Sequence, residues 1–276
     1  MVGVAMAFFA ATLPNAVVEQ PVVNMYSRPS DAADVVSQAI YGSNVGVVEQ
    51  RAGWARIRTA DDYTGWMPLA ALRVGQPYAA EGRVAAVFSL FAHVYREPDV
   101  TKRAPMLTVP FETRLEIAGE SEREGRWHQA RLADGRLGWV QTGDLTFDTA
   151  PLSTAEMLAL SRRFLGLPYT WGGTSSFGYD CSGFVQMLER RHGVMLPRDA
   201  QPQAEWSGVE PVTRAELKPG DLLYFGASPH KITHTGMYLG DGQFISATTY
   251  QTPMVRIDKL EDPHWARLLV AIRRVK

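Results

Sequence analysis

Cys181 is the only cysteine among the chain's 276 residues, and it stands in the stretch PYTWGGTSSFGYDCSGF, residues 168 to 184. Cys181, Phe184, Val185 and Leu188 recur at the spacing of one buried helix face, and Gly193 offers a stop for that helix. The cysteine is therefore expected in the first turn, where unpaired backbone N–H groups and the helix dipole favour a thiolate. Gly172, Gly173 and Gly178 mark a loop that brings backbone close to a ligand. A lone cysteine also serves as a small buried hydrophobe, so a nucleophilic role requires a base. The six histidines are His93, His128, His192, His230, His234 and His264. Only His234 falls on a predicted strand of the C-terminal part, within ITHTGMYLGDGQFISA (232 to 247), read as two strands joined by a tight turn at Asp241-Gly242. By position alone, a general base and a structural strand residue fit His234 equally.

The elements that must hold these residues follow from the rest of the chain. A hydrophobic fraction of 46% with 21% charged residues is that of an ordinary globular chain, long enough for two or three domains. The net charge of −1 and the lack of a basic run argue against nucleic acid or an anionic membrane surface as a partner. One cysteine rules out an internal disulfide. The opening MVGVAMAFFAATLPNA is apolar but too short and too broken by Pro14 to span a membrane. It reads either as the core of a secretory signal or as an ordinary buried segment.

Residues 22 to 147 contain an internal repeat: VNMYSRP, AGWARIR and YTGWMPLAAL return as AHVYREP, GRWHQARL and RLGWVQTGDL. Tyr26 pairs with Tyr95, Pro29 with Pro98, Trp54 with Trp127, Gly65 with Gly138 and Trp66 with Trp139, with a short insertion in the second copy expected between Gly119 and Gly125. Alternating runs such as VGVVEQ and RLEIAG read as strands of small β-barrels that must pack on each other or on the next domain. Ser153 and Glu156 then form a capping box for a helix carrying Met157, Leu160, Phe164 and Leu165, ended by Gly166 and Pro168. The C-terminal part continues with LPRDAQPQ (196 to 203) and LKPGDLLYF (217 to 225), a turn at Pro219-Gly220 leading into a strand from Leu222.

PYTWGG, DCSGF, LPRDAQPQ, LKPGDLLYF and HTGMYLGDGQFI, in this order, closely resemble the NlpC-type cell-wall cysteine peptidases, and the two repeats resemble bacterial SH3-like modules. The fold class implied is a multidomain α+β chain: two small SH3-like β-barrels followed by a papain-like α+β peptidase domain. The expected boundaries are 1–20 for the apolar segment, 21–80 and 81–150 for the barrels, and 151–276 for the peptidase.

The resemblance implies hydrolysis of the bond between γ-D-glutamate and a diamino acid in peptidoglycan stem peptides. It matches Cys181 to the nucleophile, His234 to the base, and Tyr169 to the tyrosine that helps bind the reacting carbonyl oxygen. Asp180 and Ser182 flank the nucleophile, where relatives contact substrate. Asp180 suits either an N-terminal ammonium or a helix N-cap, and both roles can hold. Arg198 and Gln203 match an element read as mainly structural. The third catalytic position, twelve residues after the base, is Ser246. It accepts the Nδ1–H bond but lacks a charge to stabilise imidazolium. Thr248, on the same strand face, is the alternative.

The barrel–barrel–peptidase order resembles enzymes acting on short murein peptides with a free N-terminal L-alanine, in which the first barrel closes the amine pocket; Asp61, Asp62 and Tyr63 are its candidates. Ala200 replaces a serine common near that position in related enzymes. No cofactor and no metal site are expected, since no His/Cys/Asp cluster has ligand spacing. The partner expected is peptidoglycan or its peptides, with no nucleic acid and no membrane-spanning segment. The compartment stays open, with a periplasmic or secreted location slightly favoured over a cytoplasmic recycling role. The rival from another class is a wall-binding protein with a degenerate peptidase domain, motivated by Ser246.

Overall fold

The computed structural model describes residues 15–120 and 125–276. Residues 1–14 of the apolar start and 121–124 of the expected insertion lie outside them. The first sheet comprises β1 (Asn15–Val18), β2 (Val22–Tyr26), β3 (Val35–Ile40), β4 (Asn44–Arg51), β5 (Trp54–Arg58), β6 (Thr64–Pro68) and β7 (Leu72–Val74), in the order β3-β2-β6-β5-β4-β1-β7. The segment expected at 1–20 contributes a strand to this sheet. β1 pairs with both β4 and β7, and Ala16, Val17 and Val18 are fully buried, because alternating apolar contact on both faces of this strand completes the sheet.

The second unit holds β8 (Val84–Val87), β9 (Phe91–Val94), β10 (Leu107–Pro110), β11 (Arg114–Glu120), β12 (Trp127–Arg131), β13 (Leu137–Gln141) and β14 (Leu145–Thr146). They form a five-stranded sheet, β13-β12-β11-β8-β14, and the pair β10-β9. The repeat in sequence is a repeat in geometry. Tyr26 meets Trp54 edge-on at 5.6 Å and 89°, and Tyr95 meets Trp127 at 5.7 Å and 89°. Tyr26 pairs across strands with Trp66, as Tyr95 does with Trp139. Gly65 and Gly138 are glycines for one reason: a Cβ would lie 2.9 Å from Met25 Cβ in the first copy and 2.4 Å from Val94 Cγ1 in the second.

The C-terminal unit begins with α1 (Thr154–Ser161), which carries the Ser153–Glu156 capping box. The short pair β15 (Thr174–Ser175) and β16 (Gly178–Tyr179) leads into α2 (Cys181–Arg191), followed by α3 (Ala200–Glu205). Strands β17 (Val209–Pro211), β18 (Leu222–Ser228), β19 (Lys231–Gly240), β20 (Gln243–Thr248) and β21 (Met254–Lys259), then α4 (Pro263–Leu268) and β22 (Leu269–Val275), complete it. Six strands form one antiparallel sheet, β17-β22-β18-β19-β20-β21. The turn between β19 and β20 places Asp241 and Gly242 at φ 51° and 71°, the left-handed pair that a tight hairpin requires.

The cores interlock. Phe111 of the second unit is buried among Met157, Phe164, Tyr179 and Phe184 of the C-terminal unit. Val17, Tyr41 and Tyr78 join the core of the second unit. Among the described residues no helix is long and apolar enough to cross a membrane.

Candidate active site

The sequence DCSGF folds into a helix start because each residue has a local task. Asp180 is the N-cap, accepting from Gly183 N–H at 2.7 Å. Gly183 lets the first turn pack against the loop before it, since a Cβ there would lie 2.2 Å from the Gly173 carbonyl oxygen. Phe184, Val185 and Leu188 are fully buried beneath. Cys181 is thereby held at the helix N-terminus, buried, in a helix that packs on β19 and β20.

The thiol is not the low-pKa group that its place in the helix suggests. Burial pushes it up to about 12, and the Asp180 charge pushes the same way; the backbone N–H groups of Thr235 and Ser182, and Arg198, oppose this without prevailing. Desolvation disfavours a thiolate in an unliganded site more than the helix end favours it.

His234 lies on β19, just before Thr235, and its ring is packed in aromatics. Trp265 of α4 stacks on it at 4.9 Å and 27°, and Phe225 lies at 5.7 Å. Burial pushes its pKa down to about 3, with a small further effect from His264. Its Nε2 is 3.1 Å from Ser246 Oγ. The expectation of an Nδ1 contact is corrected: the ring enters from β19 with Nε2 toward β20. With Nε2–H donating to the serine, Nδ1 carries the lone pair that can take a proton. The pairs Met237↔Ile245 and Tyr238↔Phe244 set a register that, continued, puts Thr248 opposite His234. The diagonal residue Ser246 nevertheless makes the bond, while Thr248 Oγ1 accepts from Tyr250 N–H at 3.0 Å.

Tyr169 is half-buried, held by its backbone to Pro253 and bridged to Tyr179. Its phenol pKa is raised by burial first and by Cys181 and Asp180 next, so it remains a proton donor beside the thiol. Asp180 is not an open carboxylate. Arg198 clasps it with Nη2 at 2.6 Å from Oδ2 and Nη1 at 3.1 Å from Oδ1, and Nη1 also reaches Ser182 Oγ at 2.9 Å. Ser182 completes the group by donating to Asp180 Oδ1 at 3.3 Å.

The first unit enters this site along two edges. From the β5–β6 turn, Asp61 accepts from Gln186 Nε2 at 2.8 Å, and the Tyr63 hydroxyl donates to Asp199 Oδ2 at 3.1 Å. Asp62 is not brought in: it occupies the left-handed position of that turn, at φ 61°, and is exposed. From β3, Ser37 accepts from Arg198 Nε at 3.0 Å, and the Val35 carbonyl accepts from the indole N–H of the exposed Trp171 at 3.0 Å. Sequence reasoning missed Asp199 and Trp265 and undervalued Arg198. The first and third were legible in LPRDAQPQ; Trp265 carries no local signal, because only the return of α4 over the sheet brings it to His234. Among the described residues no cluster of three or more His, Cys, Asp or Glu could hold a metal ion.

Residues 166–274 match the NlpC/P60 family, and residues 25–72 match the bacterial dipeptidyl-peptidase Sh3 domain. The chain is 30% identical over 262 residues to the gamma-D-glutamyl-L-lysine dipeptidyl-peptidase of Bacillus cereus, covering 89% of this chain and 76% of that one. It is 28% identical to the enzyme of the same name from Bacillus subtilis, over 87% and 81% of the two chains. The crystal structure of an NlpC/P60 family protein from Bacillus cereus superposes with a TM-score of 0.82 at 25% identity, over 95% of this chain and 99% of that one.

Proposed function

The chain belongs to the NlpC/P60 family of cysteine peptidases, and from that premise we propose that it hydrolyses the bond between γ-D-glutamate and a diamino acid in short peptidoglycan-derived peptides bearing a free N-terminal L-alanine. The observation that supports this reading is the Tyr63–Asp199 contact beside the Asp180–Arg198 pair, which brings residues of two units together next to Cys181. On this reading the contact marks the end of the site, where a chain continuing past the alanine would meet it. Asp180 is neutralised by Arg198, so the exposed Asp199, with Tyr63, is the carboxylate left to receive the ammonium. The names of the two dipeptidyl-peptidase relatives support the same substrate class. Residues 84–146 act as a second SH3-like barrel, on the strength of the repeated Tyr–Trp and Gly contacts, which gives domains at 15–80, 81–150 and 151–276.

Cys181 Sγ attacks the γ-glutamyl carbonyl as its proton passes to His234 Nδ1. In this reading Nε2–H donates to Ser246 Oγ, 3.1 Å away, which leaves the lone pair on Nδ1. The Tyr169 hydroxyl and backbone N–H groups at the start of α2 receive the oxyanion. His234 then protonates the leaving amine of the diamino acid. Water, deprotonated by the same nitrogen, opens the thioester and restores the thiol.

Mass spectrometry of the purified protein with L-Ala-γ-D-Glu-diaminopimelate, free or capped by N-acetylmuramate, tests the proposal. The free peptide should be cleaved, the capped one spared, and Cys181→Ala should lose about 1000-fold or more in rate. Cleavage of both would replace the amine pocket with wall remodelling, and cleavage of neither by folded protein would favour a wall-binding role.

A further inference from the structure

We infer that Ser37, on β3 of the SH3-like domain, is a positioning residue for the proposed reaction: it fixes the Arg198 guanidinium in the orientation that holds both neighbours of Cys181. The inference rests on the peptidase reading above.

Arg198 is 2% exposed and Ser37 4%. A guanidinium is a rigid plane with five N–H donors. Here Nε is on Ser37 Oγ at 3.0 Å, Nη1 is on Asp180 Oδ1 at 3.1 Å and Ser182 Oγ at 2.9 Å, and Nη2 is on Asp180 Oδ2 at 2.6 Å. Only the first of these acceptors lies outside the peptidase domain, 161 residues away in sequence. Without it a buried Nε–H loses its partner. Rolling the plane to find another breaks a bond to Asp180 or to Ser182, because all the donors share one plane. Cys181 stands between those two residues, with Asp180 disfavouring its thiolate and Arg198 favouring it. Tyr169 also acts on the thiol, and the backbone N–H of Thr235, next to His234 on β19, contacts it; Asp199 and Tyr63 flank the guanidinium.

Domain docking alone does not require this bond. The adjacent Gln38 already ties β3 to the peptidase loop, accepting from Thr174 N–H through Oε1 and from Thr174 Oγ1 through its carbonyl, both at 3.2 Å. Gln38→Ala therefore loosens the docking without touching Arg198.

The experiment compares full-length Ser37→Ala, Ser37→Thr, Ser37→Val and Gln38→Ala with the unaltered protein. It measures kcat and KM on L-Ala-γ-D-Glu-diaminopimelate, the pH dependence of Cys181 alkylation by iodoacetamide, and thermal melting. Ser37→Ala should lower kcat about tenfold with KM within about twofold, and should move the alkylation profile to higher pH by about half a unit or more. Ser37→Thr should restore both, and Gln38→Ala should leave the profile in place. If Ser37→Ala does not fold, the threonine and valine variants, alike in shape and differing in the hydroxyl, give the same contrast. Unaltered kcat and profile in Ser37→Ala would overturn the inference, as would the same changes in Gln38→Ala. Alkylation needs no substrate, so failure to cleave the tripeptide sinks the peptidase reading separately, while the profiles still decide whether Ser37 sets the environment of the thiol.

Discussion

Burial acts on Cys181 and His234 in opposite directions, raising the thiol and lowering the imidazole. Ser246 Oγ, 3.1 Å from His234 Nε2, is placed to fix the imidazole tautomer but brings no charge. A strongly perturbed carboxyl lies further along α2. Glu189 is 1% exposed, and its Oε2 has no hydrogen-bond partner among the described residues. Burial raises its pKa from 4.5 to about 7. Between those values the native state keeps a proton that the unfolded chain has lost. The favourable neutral form therefore gives full stability below pH 4.5, and stability falls as pH rises through 7. Glu189→Gln removes that loss. The variant should match the parent at pH 4 and exceed its stability by about 3 kcal/mol at pH 8. Chemical denaturation at the two pH values checks this, and an equal difference at both would contradict it.

At the scale of elements, the site depends on how closely the 170–173 loop meets the start of α2. The Gly173 carbonyl accepts from Asp180 N–H at 3.1 Å and leaves no room for a side chain at Gly183. Gly183→Ala should cost about 1–3 kcal/mol by overpacking and lower kcat by displacing the first turn. Urea unfolding and peptide turnover measure the two effects. A stable, fully active variant would mean that the loop yields freely. This helix, its cap and its glycines were readable from DCSGF, because capping and helical periodicity are local. The Ser246 bond was readable only as a choice between two residues. Register continuation favours Thr248, and the diagonal reach of an imidazole, a property of side-chain direction, settles on Ser246.

Across the whole molecule the three units share their cores, so they are expected to unfold together. Phe111 belongs to the second unit by sequence and to the peptidase core by burial, 5.2 Å from Phe164. Its neighbour Glu112 pairs with Arg190 of α2 at 2.6 Å. Phe111→Ala should cost about 3–5 kcal/mol and turn a single calorimetric transition into two. One unchanged transition would show that the units are coupled by other contacts. The sequence by itself determined the repeat, the order of the units, Cys181 in the first turn of its helix and His234 on its strand. Each of these is written in neighbouring residues through spacing, caps and turn glycines. Only the tertiary structure decided that Arg198 neutralises Asp180, that Tyr63 rather than Asp62 reaches the site, that Trp265 stacks on His234, and that burial raises the thiol's pKa. Those outcomes depend on burial and on contacts between residues far apart in the chain, which no local pattern encodes.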